Sequence, residues 1–146
     1  MRLAGQYILP SPPAKVWELL TDPNRLAKLL PGCERFDPDG PDRFKAAVKI
    51  GIAAISGNYS GRIDFAEKKP PKSTRMKPSG KGVPGFVDGV GYIELSEKSG
   101  QTELRYTGEA QVGGMIAAVG QRTIEDAARK SVDQFVAAAA EELKKK

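Results

Sequence analysis

The sequence predicts an α+β fold in which one long C-terminal helix lies across a single curved antiparallel sheet. Three observations carry that expectation. From about Met115 to the C-terminus the chain is rich in alanine and charged residues, with apolar positions at helical spacing. Ahead of it, stretch after stretch alternates apolar with polar residues between Gly and Pro punctuation, as half-buried strands do. Near the N-terminus, two short apolar segments each follow a helix-start signal. A helix laid on a concave sheet either fills it or leaves a pocket beneath itself, and the functional question turns on which.

The elements follow in order along the chain. Leu3, Gly5, Tyr7 and Leu9 alternate against polar neighbours and give a first strand. Ser11-Pro12-Pro13 opens a helix, with Ser11 placed to cap the free amides and proline suited to the first turn. Val16, Trp17, Leu19 and Leu20 form its apolar face. Asp22-Pro23 breaks that helix and starts a second, striped by Leu26, Leu29 and Leu30 and ended by Pro31-Gly32. After Cys33-Glu34-Arg35-Phe36 the chain is turn-rich to Asp42. Phe44, Ala46, Val48 and Ile50 then alternate as a strand, and an apolar bend from Gly51 to Gly57 carries Ile52 and Ile55.

Tyr59, Gly61, Ile63 and Phe65 make the next strand, followed by a turn at Lys68-Lys69-Pro70-Pro71. Ser73 to Lys81 reads as a polar strand with Met76 its one large apolar residue, where Pro78 marks an edge or a bulge. Phe86 to Ser96 and Thr102 to Val112 are two more strands, joined by Lys98-Ser99-Gly100. Gly113-Gly114 punctuates the change to helix. In that helix Ile124, Ala128, Ser131, Phe135 and Ala139, with Val132, Val136 and Leu143 beside them, form the face turned to the sheet. At 1.5 Å per residue, a helix begun at Met115 would span about the whole domain. No repeat or linker interrupts the pattern, so residues 1–146 read as one domain.

Composition narrows the function classes. At 146 residues the chain is long enough to bury roughly 70% of its unfolded surface without disulfides. A net charge of +5 favours acidic partners, anionic lipid or nucleic acid. Aromatic residues interleaved with the basic clusters are too few for base stacking, so nucleic acid is set aside. One cysteine, Cys33, excludes an internal disulfide framework and fits a reducing, cytoplasmic setting. The opening residues hold no apolar run of signal-peptide length, and no run of about 18 apolar residues occurs anywhere. With no histidine, Ser-His-Asp and Cys-His chemistry are excluded and a zinc site lacks its usual ligand. The balance moves from catalysis toward binding, with no metal ligand set and no catalytic residue assigned.

Several short motifs have bland readings. Gly80-Lys81-Gly82-Val83-Pro84-Gly85 matches the glycine spacing of dinucleotide-binding loops, but a polar segment precedes it, Pro84 removes an amide and strand-like sequence follows. It reads as a bulged strand or turn. Asn58-Tyr59-Ser60 is a chance sequon. Cys33 reads as a small buried hydrophobe and Trp17 as a core anchor. Lys68, Lys69, Lys72, Arg75, Lys77 and Lys81 form one basic cluster and Lys144, Lys145 and Lys146 another. Both suit a solvated surface, or an electrostatic footprint for anionic lipid or an acidic protein.

Val16-Trp17, Asp22-Pro23 and Leu29-Leu30-Pro31-Gly32-Cys33-Glu34 together resemble the carbon monoxide dehydrogenase CoxG family, within the START-like (SRPBCC) superfamily. Further signposts run in the same order: Ile50-Gly51, Tyr59-Ser60-Gly61, Gly80-Lys81-Gly82, Gly85, Thr102-Glu103-Leu104-Arg105-Tyr106, and Gly120-Gln121-Arg122. The resemblance covers nearly the whole chain, and the Pro-Gly-Cys-Glu element is its most specific part. It implies a helix-grip fold: a seven-stranded antiparallel sheet wrapped round a long C-terminal helix, with two short helices closing one end and an apolar ligand held between. It implies an accessory, non-catalytic role beside molybdenum-containing CO dehydrogenases and related hydroxylases, linking them to the membrane and its quinones. Some members continue into an apolar membrane anchor. This chain stops at Lys146, which leaves its basic tail to give weak attraction at the inner face of the membrane.

On that footing a quinone or similar lipophile is expected in the cavity. Leu26, Leu30, Ile52, Ile55, Met76, Phe86, Met115 and Val119 are the expected apolar lining. Tyr59, Tyr92, Tyr106 and Arg122 are the expected polar groups for a carbonyl headgroup. An empty apolar cavity of about 400 Å³ would cost on the order of 10 kcal/mol, the whole stability of an ordinary domain. Such a cavity is therefore wet, open or occupied. The alternatives are a START-like cyclase or hydrolase with Asp64, Asp88 or Glu94 as its acid, and an interaction module with a packed core.

Overall fold

The computed structural model describes residues 1–51 and 56–145, in which the chain enters a sheet at one edge and crosses to the other before returning. The first strand, β1 (Arg2–Leu9), leads into two short helices, α1 (Pro13–Leu20) and α2 (Pro23–Leu29). These carry the chain to β2 (Cys33–Pro38), from which β3 (Arg43–Ile50), β4 (Gly57–Lys69), β5 (Ser73–Gly82), β6 (Gly85–Lys98) and β7 (Gln101–Gly113) run back and forth. The seven strands are antiparallel in the order β1-β7-β6-β5-β4-β3-β2. A short 3-10 helix (Met115–Val119) and α3 (Gln121–Lys144) close the chain.

Local chemistry explains most of the boundaries. Asp22 caps α2 as its sequence requires, its Oδ1 accepting from the Asn24 amide at 3.0 Å. Gly32, which ends the α2 turn, has φ +72, and a side chain there would collide with the Lys49 carbonyl. Ser99 and Gly100, both at positive φ, form the two-residue turn between β6 and β7.

Four expectations change. Ser11 is not the cap of α1; Pro12 holds that position without a side-chain bond, and the Ser11 carbonyl instead accepts from the fully buried Thr102 hydroxyl at 2.6 Å. The terminal helix does not start at Met115, because Gly120 at φ +97 separates the 3-10 segment from α3. Pro78 lies neither on an edge nor in a bulge. It is in the interior strand β5, where pairing with β6 lapses between Met76–Gly91 and Ser79–Asp88 without a change of register. Residues 33–38, which show no alternation, form the edge strand β2 with Phe36 its only buried side chain.

The packed core sits at one end of the sheet. Leu9, Val16, Leu95 and Leu104 form one buried cluster; Leu19, Leu26, Leu29, Phe36 and Ala139 form another. Both enclose the C-terminal half of α3, through Phe135, Val136, Ala139, Ala140 and Leu143. Leu9, Val16 and Leu19 are at most 1% exposed, so each contributes roughly 1.5–3 kcal/mol by burial. No helix among the described residues is long and apolar enough to cross a membrane.

On the outer face, Glu103 of β7 is buried beneath Lys98, Arg105 and Gln6, with ion-pair distances of 2.9 and 2.8 Å to the two cations. The hydrogen bond from Lys98, then the nearby Arg105 charge, holds its carboxyl below the usual value of 4.5 against the opposing effect of burial. A lowered native pKa means that the unfolded chain binds the proton first as pH falls, so this stability is present above pH 4.5 and lost below it. Glu103→Gln should therefore lower the urea midpoint at pH 7. The gap to the parent protein should narrow as pH falls below 4.5, and a gap independent of pH would contradict the assignment.

Candidate functional site

A cavity of about 400 Å³ lies between the inner face of the sheet and α3, and its walls are almost wholly apolar. Its roof is one face of α3: Ser131, Val132, Phe135 and Val136, at the spacing of adjacent helical turns. Trp17 and Leu20 of α1, Thr21 just after it, and Leu26, Leu30 and Pro31 around α2 close one end. Ile63 and Phe65 of β4, Met76 of β5 and Ile93 of β6 form the sheet side.

The floor is made by what is missing. Along β6 the inward positions are Val87, Gly89, Gly91, Ile93 and Leu95; on β7 they include Leu104, Tyr106, Gly108 and Ala110. Gly91 and Gly108 are directly opposed across the β6–β7 ladder. Glycine weakens a strand because it loses more backbone entropy and packs nothing. Three of them on the inner face of two interior strands leave a bare patch of backbone beneath the helix. The void exists because the floor withholds side chains where the roof comes down.

Tyr7 sets the height of that roof. Its hydroxyl donates to Asp133 Oδ1 of α3 at 2.7 Å, so the ring spans from β1 to the helix. Burial, and then this bond, pushes the Tyr7 hydroxyl well above its usual range, which keeps it protonated and donating. Tyr106 stacks on Tyr7 with ring centroids 6.1 Å apart and planes 8° from parallel. It lies over Gly5, where a Cβ would stand 2.5 Å from its Cε1. Tyr106 therefore brings an aromatic face to the cavity wall, with its hydroxyl beside that of Tyr7, while the Thr21 hydroxyl turns back to donate to the Trp17 carbonyl at 2.8 Å.

Four of the expected ligand residues, Leu26, Leu30, Met76 and Tyr106, stand on this wall together. Six others do not. Tyr59 is buried near the far end of β4, against Gly57 and Gly82, and burial raises its pKa. Phe86 and Tyr92 occupy the opposite parity of β6 from Gly89 and Gly91 and face outward, 44% and 36% exposed. Met115 and Val119 belong to the 3-10 segment rather than to α3, and Met115 is largely exposed. Arg122, in the first turn of α3, is exposed. Ile52 and Ile55 lie outside the described residues. The sequence reading missed the glycine floor, Ile93, and the roof as lining, although Gly-x-Gly at residues 89–91 between Val87 and Ile93 was a readable signal.

The groups considered for chemistry stand elsewhere. Asp64 pairs with Arg43 at 3.0 Å, and Asp88 and Glu94 are exposed on the outer face. Glu109 borders the cavity, but its carboxylate reaches Arg2 at 2.7 Å and is mostly exposed. Burial pushes the Cys33 thiol pKa up, and it donates to the Arg35 carbonyl, so it is a poor nucleophile. No group of three metal-ligating side chains gathers among the described residues. Trp17 both packs on the Leu9–Val16 cluster and lines the cavity.

Comparison with known proteins agrees with this architecture. The carbon monoxide dehydrogenase CoxG family matches residues 5–144. A conserved protein from Geobacillus kaustophilus, solved by crystallography, is 36% identical, with a TM-score of 0.97 over 99% of this chain and 96% of that one. Proteins from Chromobacterium violaceum (20% identity, TM-score 0.69, 95% and 96% covered) and Mycobacterium smegmatis (16%, 0.70, 98% and 90%) share the fold. A search of curated proteins found no match.

The floor is open to substitution. A Cβ at Gly108 would meet the Val90 carbonyl oxygen at 3.5 Å and Gly91 Cα at 3.9 Å, both ordinary contacts. Gly108→Ala should raise the unfolding free energy by about 0.4–1 kcal/mol in urea titration, since the unfolded chain loses freedom. A loss of stability would show that the floor has no room.

Proposed function

The chain belongs to the carbon monoxide dehydrogenase CoxG family, and from that premise we propose that it is a non-catalytic lipophile carrier for a molybdenum-containing CO dehydrogenase-type enzyme. In this reading the fold is the helix-grip of START-like proteins, and the guest is an isoprenoid quinone or a lipid of similar shape. One observation carries it: an apolar cavity of about 400 Å³ floored by glycines. That volume falls within the range of roughly 300–1,000 Å³ usual for small-molecule sites. An isoprenoid segment suits walls of Leu, Ile, Phe, Val and Met, and the Tyr106 ring offers an aromatic face to a flat quinone head. Such a site binds by burying apolar area, with few polar groups fixing orientation.

The cyclase or hydrolase alternative is weakened because Asp64, Asp88 and Glu94 all stand away from the cavity. The packed-core alternative is weakened by the void itself. Peripheral contact with anionic lipid at the inner face of the membrane belongs to the same proposal, carried by the excess of exposed lysine and arginine.

Organic extraction of purified protein followed by mass spectrometry is the direct test. The parent protein should release a lipophile, or take up added ubiquinone or menaquinone with quenching of Trp17 fluorescence. Gly108→Leu places a branched side chain in the cavity and should reduce uptake at least about tenfold, the effect of 1.4 kcal/mol of lost contact. Val132→Trp does the same from the roof, should the strand variant fold poorly. A protein that extracts clean and ignores added quinone, or variants that load as well as the parent, would refute the carrier reading.

A further inference from the structure

Val83 and Met115 are the two most exposed large apolar side chains among the described residues, at 93% and 73%. They come from separate segments that meet at one end of the molecule. Val83-Pro84 is the two-residue turn joining β5 to β6, and Met115 opens the 3-10 helix after β7. The Ile116 amide donates to the Pro84 carbonyl at 2.8 Å, and Gly114 lies so close to Gly85 that a Cβ on it would stand 2.7 Å from Gly85 Cα. Phe86, next along β6, packs its ring on Gly113 and is 44% exposed. Tight turns ordinarily carry Gly, Asn, Asp or Ser at their tips, which makes valine here, beside an exposed methionine, an apolar crown.

Three cations stand toward this end, and the first carboxylates beyond its two segments are Asp88 and Glu125. Lys81 is the cross-strand partner of Phe86; Lys49 stands near the end of β3, and Arg122 in the first turn of α3. All three are exposed, and none has an ion pair among the described residues. Residues 80–87 and 113–124 contain no carboxylate. At the other end of α3 the tail is partly neutralised, Lys144 by Glu141 at 3.4 Å and Lys145 by Glu142 at 3.8 Å.

We propose that the Val83–Met115 end seats on an anionic bilayer surface, its apolar tips entering the headgroup region while Lys81, Lys49 and Arg122 meet lipid phosphates. The geometry favours lipid over protein. A protein interface gathers apolar side chains in a flat, buried centre, whereas these stand on the tips of two turns with the unpaired cations Lys81, Lys49 and Arg122 toward the same end. The inference rests on the carrier reading for its purpose, since it gives the carrier a place to exchange its guest. Its observations lie off the cavity wall and stand separately.

The test is co-sedimentation of the purified chain with phosphatidylglycerol–phosphatidylcholine vesicles and with phosphatidylcholine vesicles alone. The parent should bind the anionic vesicles, and less tightly as salt screens the cations. V83E/M115E should lose at least about tenfold in vesicle affinity, while K144Q/K145Q stays within about twofold. V83S/M115S should show a smaller loss of the same kind, and it serves if the charged variant misfolds. Extracted ligand content, measured in parallel, should be unchanged in all three variants. The proposal is overturned if V83E/M115E binds like the parent, if K144Q/K145Q abolishes binding, or if the parent binds neither vesicle. It is also overturned if the tips instead capture a soluble acidic protein without lipid. A clean extract from a protein whose tips still bind vesicles would overturn the carrier reading and leave this one standing.

Discussion

The rest of the structure depends on one constraint: α3 is held above the middle of the sheet without touching down there. Tyr7 reaches from β1 to Asp133, and the two buried clusters grip the C-terminal half of the helix. Over Gly89, Gly91 and Gly108 nothing rises to meet it. A Cβ at Gly89 would be crowded by the Glu109 carbonyl and Pro78 at 3.3 Å, but at Gly91 and Gly108 contacts are ordinary, and leucines at those two places would each add roughly 1.5–3 kcal/mol of burial. The fold forgoes that gain at the centre and draws its stability from the closed end, where Leu9, Val16, Leu19 and Thr102 are fully buried.

This division explains what the sequence disclosed and what it hid. The helix-start logic at Asp22-Pro23, the alternation of β1, β3 and β4, and the small-residue face of α3 follow from local chemistry, and all appear in the fold. Strand β6 inverted the reading for a physical reason. Alternation is judged by size, and Phe86, Val90 and Tyr92 outweigh Val87, Gly89 and Gly91. Where a protein keeps a cavity, the inward residues are the small ones, so the larger parity points to solvent. A slip of one residue then exchanges the two faces of a strand.

The remaining misreadings share a cause in tertiary contact. Ser11 has the chemistry of a cap, but its backbone is recruited by Thr102 across the fold. Pro78 reads as an edge residue because it cannot donate, yet β5 is interior; the lapse in its ladder with β6 absorbs the missing amide. Gly120 was one glycine among sixteen, and only its positive φ distinguishes a break from a tolerated helical residue. None of these signals has a sequence form separable from its context.

The molecule is also polar along α3, and that polarity bears on how a buried guest would leave. At the end where α1, α2 and the tail of α3 converge, apolar side chains are consumed in packing and lysines are matched by glutamates. At the other end, close backbone contacts at Gly85, Gly113 and Gly114 hold the turns together over the buried Ile116, while Val83 and Met115 stay in water. Opening the first end would expose Leu19, Leu26, Leu29 and Ala139 at several kcal/mol. Moving α3 near its N-terminus would disturb the Gly120 junction, the hydrogen bond of Tyr7 and the two smaller buried groups Ile116 and Ala127. Fewer large buried side chains anchor the helix on that side, so a guest beneath the roof would find its cheaper exit there.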